Sequence, residues 1–257
     1  MRVATWNVNS LTARWPRVEE WLTANQPDVL LIQETKQNDE KFPFAALSQL
    51  GYESAHFGQG QWNGVAIVSR VGLEDVLRGL DDDPEARFIG ATCGGLRVYS
   101  CYVPNGRALD NPHYEYKLRW LESLRTLLAQ RDPDQPVMVG GDFNVALSDL
   151  DVYDPAAFEG ATHVSEPERA AIRAVLATGL VDLGRDRHPD EPSYTWWDYR
   201  NGSFRRGWGL RIDYLLCDAA TAARVSEVFV DRAARKGEKP SDHAPVVAEI
   251  EWSPARP

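Results

Sequence analysis

Arg87 to Val103 reads RFIGATCGGLRVYSCYV: two strand-like runs, Arg87–Cys93 and Leu96–Val103, joined by Gly94-Gly95. A two-glycine link between such runs is a strong hairpin signal and so predicts antiparallel pairing. The next segment, His113 to Gln130, repeats leucine at 118, 121, 124 and 128, which makes one apolar helical stripe. Pro136 to Gly140 follows as a brief apolar strand that runs into Gly141-Asp142-Phe143-Asn144. Hairpins mixed with helical crossovers predict α/β layers built on mixed sheets rather than a purely parallel doubly wound fold.

Working outward, Arg2 to Val8 reads as a strand ending in Asn7-Val8-Asn9-Ser10, and Pro16 to Ala24 as a helix with proline at its start. Asp28 to Glu34 is a nearly continuous apolar run, the pattern of a buried strand. Phe42–Leu50 reads as a short helix and Gly64–Arg70 as a strand. Ser165-Glu166-Pro167-Glu168 forms a capping box, and Gly179 stops the helix that follows. Tyr194–Tyr199, Leu210–Cys217, Val225–Val230 and Val246–Trp252 read as strands. With no linker, composition shift or repeat, one domain over residues 1–257 is expected.

Apolar residues make up 43% of the 257 and charged residues 26%, ordinary for a globular protein. The N-terminus lacks the basic and apolar regions of a signal peptide, and no apolar run approaches a membrane span. A cytoplasmic protein without membrane attachment is therefore expected. Cys93, Cys101 and Cys217 are odd in number and widely spaced, which argues against a disulfide framework or a zinc cluster. A net charge of −10 argues against DNA binding by a broad basic surface, but leaves room for a local basic groove with a metal ion. It predicts weak binding to intact duplex at physiological salt.

Several strands end in groups that carry chemistry. Glu34 closes an apolar strand, where a carboxylate suits a hard cation such as Mg²⁺; an exposed strand-end glutamate is the equal alternative. Asp142 and Asn144, two apart, project to one face of an extended backbone, although Gly-Gly-Asp is also turn chemistry. Asn7 and Asn9 repeat that spacing, which strand-end capping explains as well. In Ser241-Asp242-His243-Ala244-Pro245 a histidine lies beside an acid, and Asp213 could accept its ring N–H; a polar turn before a strand is the lesser alternative. Tyr194, Trp196, Trp197, Tyr199 and Trp208 interleave with Arg200, Arg205, Arg206 and Arg211. Aromatic rings among cations suit an opened nucleic-acid strand, and core tryptophans beside a solvated loop account for them equally.

Taken in order, five stretches carry a family resemblance: Pro27–Lys36 (PDVLLIQETK), Tyr102–Gly106 (YVPNG), Gly141–Asn144 (GDFN), Gly209–Asp213 (GLRID) and Ser241–Pro245 (SDHAP). The chain resembles the exodeoxyribonuclease III and abasic-site endonuclease branch of the exonuclease/endonuclease/phosphatase superfamily over essentially its whole length. The resemblance implies a four-layer α/β sandwich, two mixed β-sheets packed face to face with helices outside. It implies Mg²⁺, or Mn²⁺ in its place, at Glu34, helped by Asn7 and Asp242. Asp142 would orient or deprotonate the attacking water, Asn144 would bond the scissile phosphate, and His243, oriented by Asp213, would stabilise charge or assist proton transfer. Tyr102 would contact the phosphate or leaving group. Arg107, Trp196, Leu210, Trp208 and Asn9 would line the substrate.

Two departures stand out: Asn9 occupies a position where some members have aspartate, and Leu210 one where some abasic-site enzymes have tryptophan, with Trp208 two residues earlier. The implied activity is cleavage 5′ to abasic sites, removal of nucleotides and blocking groups from 3′ ends of duplex DNA, or both, by a monomer. A phosphoesterase of RNA, lipid or inositol phosphates is the alternative within the superfamily. A non-catalytic scaffold would be marked by loss of Glu34, Asp142 or His243, all of which are present.

Overall fold

Side-chain alternation along the first two strands sets the layering. In β1 (Arg2–Asn7), Val3 points one way while Ala4 and Trp6 point the other. In β2 (Val29–Gln33), Val29 and Leu31 share the face of Val3, and Leu30 and Ile32 that of Trp6. These strands pair in parallel, Val3 opposite Val29 and Asn7 opposite Gln33. One face therefore packs on a second sheet and the other under a helix, which is why the run reads as continuously apolar.

The computed structural model describes residues 1–252. The first sheet continues with β3 (Glu53–Phe57) and β4 (Val65–Ser69). The second comprises β5 (Glu74–Arg78), β6 (Phe88–Cys93), β7 (Leu96–Tyr102), β8 (Val137–Asp142), β9 (Leu180–Asp182) and β10 (Asp213–Asp218). The chain then returns to the first sheet as β11 (Val225–Val230) and β12 (Val246–Ile250). The strand orders are β11-β12-β1-β2-β4-β3 and β5-β6-β7-β8-β10-β9. Each sheet has one parallel pair, β1–β2 or β7–β8, and is otherwise antiparallel, so both are mixed.

Val3, Leu31 and Ile67 of the first sheet meet Ile89, Val98, Met138 and Leu215 of the second in the central core. Helix α1 (Leu11–Asn25) covers the first sheet's outer face through Val18, Trp21 and Leu22, with the short α2 (Phe44–Gln49) beside it. Helices α3 (Pro112–Ala129) and α4 (Glu166–Leu176) cover the second through Leu121, Leu124, Leu128, Ile172 and Val175. This is the four-layer α/β sandwich. Each leucine fully withdrawn from water in α3 contributes about 1.5–3 kcal/mol. The buried stripe of α3 also includes Lys117, whereas Leu118 is only half-buried.

Gly94 (φ 56°) and Gly95 (φ 83°) close the β6–β7 hairpin with Cys93 opposite Leu96, both in the left-handed region such a turn requires. The capping box at Ser165 and Glu168 is present at the start of α4. Other readings need correction. Helix α1 begins at Leu11, because the Ser10 hydroxyl accepts the Ala13 N–H and caps it there; Pro16 lies inside. Tyr194–Tyr199 is not a strand: Trp196 makes single bridges to Leu210 and His243. Strand β10 starts at Asp213, three residues later than read, and β3, β5 and β9 were not foreseen. The three cysteines are buried free thiols. Among the described residues, no helix is long and apolar enough to cross a membrane.

Candidate active site

The residues singled out at strand ends converge where the two sheets meet. Asn7 ends β1 and is fully buried. Its Nδ2 donates to Glu34 Oε1 at 2.8 Å and to Asp142 Oδ2 at 2.9 Å, so one amide joins a carboxylate from each sheet. Asn7 Oδ1 accepts the Asn9 backbone N–H, which fixes the orientation of the amide. Glu34 lies just past β2 at φ 53°; this left-handed turn aims its side chain at the seam. Asp142 ends β8, opposite Tyr102 of β7 and Asp213 of β10.

Asp142 is 1% exposed. Burial pushes its carboxyl up to about 7; Asp213 and Glu34 add to the shift, and His243 and the Asn7 amide oppose it. Its Oδ1 accepts the backbone N–H of Asn144, which takes φ 52°. His243 Nδ1 donates to Asp213 Oδ2 at 2.8 Å, and its Nε2 stands 3.7 Å from Asp142 Oδ2. Burial disfavours the imidazolium, but the Asp213 and Asp142 carboxylates outweigh it and hold His243 up at about 10. Tyr102 is kept protonated by burial and by the charges of Glu34 and Asp142.

Glu34, Asp142 and His243 offer ligand atoms within 4.8 Å of one another. With His243 held as imidazolium, the donors left are hard carboxylate oxygens, the set Mg²⁺ or Mn²⁺ prefers. The Lys36 ammonium already stands in as a cation, 2.8 Å from Glu34 Oε2. The residues therefore fit a hard divalent ion at Glu34, near Asn7 and Asp142. Asp242 lies outside this group, against expectation: its oxygens accept Asn9 Nδ2 at 2.9 Å and Trp196 Nε1 at 3.0 Å. It joins the loop after β1 to Trp196. Burial opposes ionisation there, while the His243 charge and those two bonds hold the carboxyl below its usual range.

The predicted substrate contacts fare unevenly. Asn9 is a neutral link, donating to Asp242 and accepting from Lys36 Nζ at 2.6 Å. Arg107 lies exposed on a left-handed turn whose N–H bonds Asn105. Trp208 is 37% exposed and stacks on Tyr153, with Arg206 over its face. Leu210 corrects the expectation: it is 1% exposed, packed with Val152 and Ile212, and has no surface to offer a ligand. Arg211 is likewise buried, clamped by Asp151 and Asp182, and cannot belong to a basic DNA-facing set. Arg200 is tied to Asp198, and Trp197 is fully buried.

Three contributors were missed. Lys36 closes the PDVLLIQETK stretch, so proximity to Glu34 was a usable signal. The Thr195 hydroxyl donates to Asp213 Oδ2 at 2.6 Å and accepts the N–H groups of Ile212 and Asp213. Arg87 lies over the Tyr102 ring, 4.8 Å from its centroid. Arg87 faces Tyr102 in the register that the Gly94-Gly95 hairpin sets, so that pairing was a usable signal, whereas Thr195 lies 18 residues from Asp213 and leaves none.

The family model for the endonuclease/exonuclease/phosphatase family matches residues 4–243. Exodeoxyribonuclease III of Haemophilus influenzae is 32% identical, covering 97% of this chain and 100% of that protein. Among solved structures, a 3′ phosphatase from Neisseria bound to a product DNA hairpin superposes with TM-score 0.96 at 44% identity, covering 98% of this chain and 100% of the other. An AP endonuclease from Archaeoglobus fulgidus gives TM-score 0.95 at 40% identity, with the same coverage of both chains. The chain thus belongs to the endonuclease/exonuclease/phosphatase family, within its exodeoxyribonuclease III and AP-endonuclease group.

Proposed function

We propose that this chain is a metal-dependent DNA phosphodiesterase of repair, acting on duplex DNA 5′ to abasic sites, at 3′ ends, or at both. It works as one catalytic domain, a cytoplasmic monomer, with Mg²⁺ at Glu34 and Mn²⁺ able to replace it. The observation that carries the reading is the Asn7 amide bridging Glu34 and Asp142, with His243 and Asp213 behind. The 3′ phosphatase and AP endonuclease neighbours support both sites of attack. The alternative, a phosphoesterase of RNA, lipid or inositol phosphates, is disfavoured by the likeness to a neighbour bound to a DNA hairpin.

Phosphodiester cleavage builds negative charge on the non-bridging and leaving oxygens. When bound, the metal ion supplies charge neutralisation at those oxygens. Asp142, raised to about 7, is suited to take the proton of the attacking water near neutral pH. His243, held charged by Asp213, presents Nε2–H as a donor to a phosphate oxygen. Asn144 adds its amide, and Tyr102, which stays protonated, donates its phenolic O–H to the phosphate or leaving group.

The test uses two labelled duplexes, one intact and one with an internal abasic-site analogue. Each is incubated with Mg²⁺, with chelator, and with Asp142→Ala protein. Metal-dependent incision at the analogue or shortening from 3′ ends, lost in the variant, is expected. If neither duplex is cut, the reading fails and other phosphodiesters become the candidates.

A further inference from the structure

Beneath the YVPNG and GDFN loops lies an ion pair with no access to solvent. Lys117 of α3 and Glu168 of α4 are both 0% exposed, with Nζ 2.5 Å from Oε1. Two charges taken from water at this depth make a costly device, often matched or bettered by apolar side chains of equal volume. Its contacts indicate what it does. Lys117 Nζ also donates to the backbone carbonyls of Asn144 at 2.7 Å and Asn105 at 3.3 Å. Glu168 Oε1 accepts the Thr162 hydroxyl at 2.8 Å and the His163 N–H at 3.0 Å, while Oε2 accepts Ser165. The two asparagines then bond each other, Asn105 Nδ2 to Asn144 Oδ1 at 3.2 Å.

We propose that the Lys117–Glu168 pair is a positioning unit for the reaction: it fixes the carbonyls of Asn105 and Asn144, and so the amide that Asn144 presents to the scissile phosphate. This rests on the functional reading above. Neither charged group reaches the surface, so neither can touch DNA. The pair holds Asn144 in its left-handed conformation (φ 52°), in which its N–H reaches Asp142 Oδ1 and its side chain faces the 103–105 loop. Displacements of about 1 Å in such a site cost on the order of 100-fold in rate.

Lys117→Met is measured in single-turnover cleavage of the preferred duplex, alone and combined with Asn144→Ala, with folding followed by circular dichroism. The maximal rate should fall about 10- to 100-fold with half-saturating DNA concentration changed less than about threefold. In the Asn144→Ala background the same substitution should cost little more, because the group it positions is gone. An unchanged rate in Lys117→Met, or an equal loss in both backgrounds, overturns the proposal. If Lys117→Met does not fold, Thr162→Val is measured in the same two backgrounds, against the same rate pattern and the same overturning results. It removes only the hydroxyl shared by Glu168 and the Asn105 carbonyl. A wild-type chain that cuts no DNA defeats the functional reading and this proposal with it. An active wild type matched by Lys117→Met defeats the proposal alone.

Discussion

Replacing Thr195 by valine removes one hydroxyl from a position 1% exposed and changes little else in shape. That hydroxyl donates to the Asp213 carboxylate at 2.6 Å and accepts two backbone N–H groups at 3.1 Å each. A bond to a charged acceptor contributes about 2 kcal/mol, and each stranded buried N–H costs about 1 kcal/mol, so valine should destabilise the fold by about 4 kcal/mol. For a chain of this size the melting temperature should fall by about 10 °C. Thr195→Ser keeps the hydroxyl, loses a methyl group worth about 0.8 kcal/mol, and serves as the control. Asp213 orients His243, so cleavage by the folded valine variant should also slow about tenfold, equivalent to roughly 1.4 kcal/mol in the transition state. Thermal melts and single-turnover cleavage of the three proteins test this. A valine variant that melts within about 2 °C of the serine variant refutes the reasoning.

Three further outcomes follow from the geometry. Asp142 titrates near 7 when folded and in the ordinary carboxylate range when unfolded, so its contribution is full below that range and is lost as pH rises towards 7. The loss amounts to roughly 4 kcal/mol without metal. Melts in chelator should show a fall between pH 4 and 8 that Mg²⁺ reverses and Asp142→Asn flattens; parallel curves for wild type and variant would contradict the raised value. Lys36→Met should free Glu34 Oε2 and tighten Mn²⁺ binding to the protein without DNA severalfold by calorimetry, and unchanged or weaker binding would show that Lys36 does not compete with the ion. Arg211→Met should cost about 3 kcal/mol in urea unfolding by leaving Asp182 without its ion-pair partner and Asp151 with Arg185 alone, with DNA affinity of the folded protein unaltered; the reverse pattern would return Arg211 to the DNA-facing set.

What was legible in the sequence was what is written locally. The Gly94-Gly95 turn, the apolar run of β2 and the Ser165 capping box each depend on neighbours a few residues apart, and each is present. Strand β5, Glu74–Arg78, is mostly exposed at the edge of its sheet, so burial wrote no apolar pattern into it. The aromatic run around Trp196 misled because those rings serve a loop: Trp197 goes to the core, and Trp196 reaches Asp242. Glu168 was read as a cap, which it is, but its Lys117 partner lies 51 residues away and only the α3–α4 packing brings them together. Asp242 and Leu210 were placed at the site by their motifs. Burial withdraws Leu210 from any ligand, while hydrogen bonds tie Asp242 to Asn9 and Trp196.

The first sheet is assembled from both ends of the described chain, with β12 hydrogen-bonded to β1 and the whole second sheet lying between them in sequence. His243 sits three residues before β12. During synthesis, Asn7, Glu34 and Asp142 therefore emerge from the ribosome long before the imidazole and the strand that locks the seam. A nascent or prematurely terminated product has the carboxylates without the histidine that faces them.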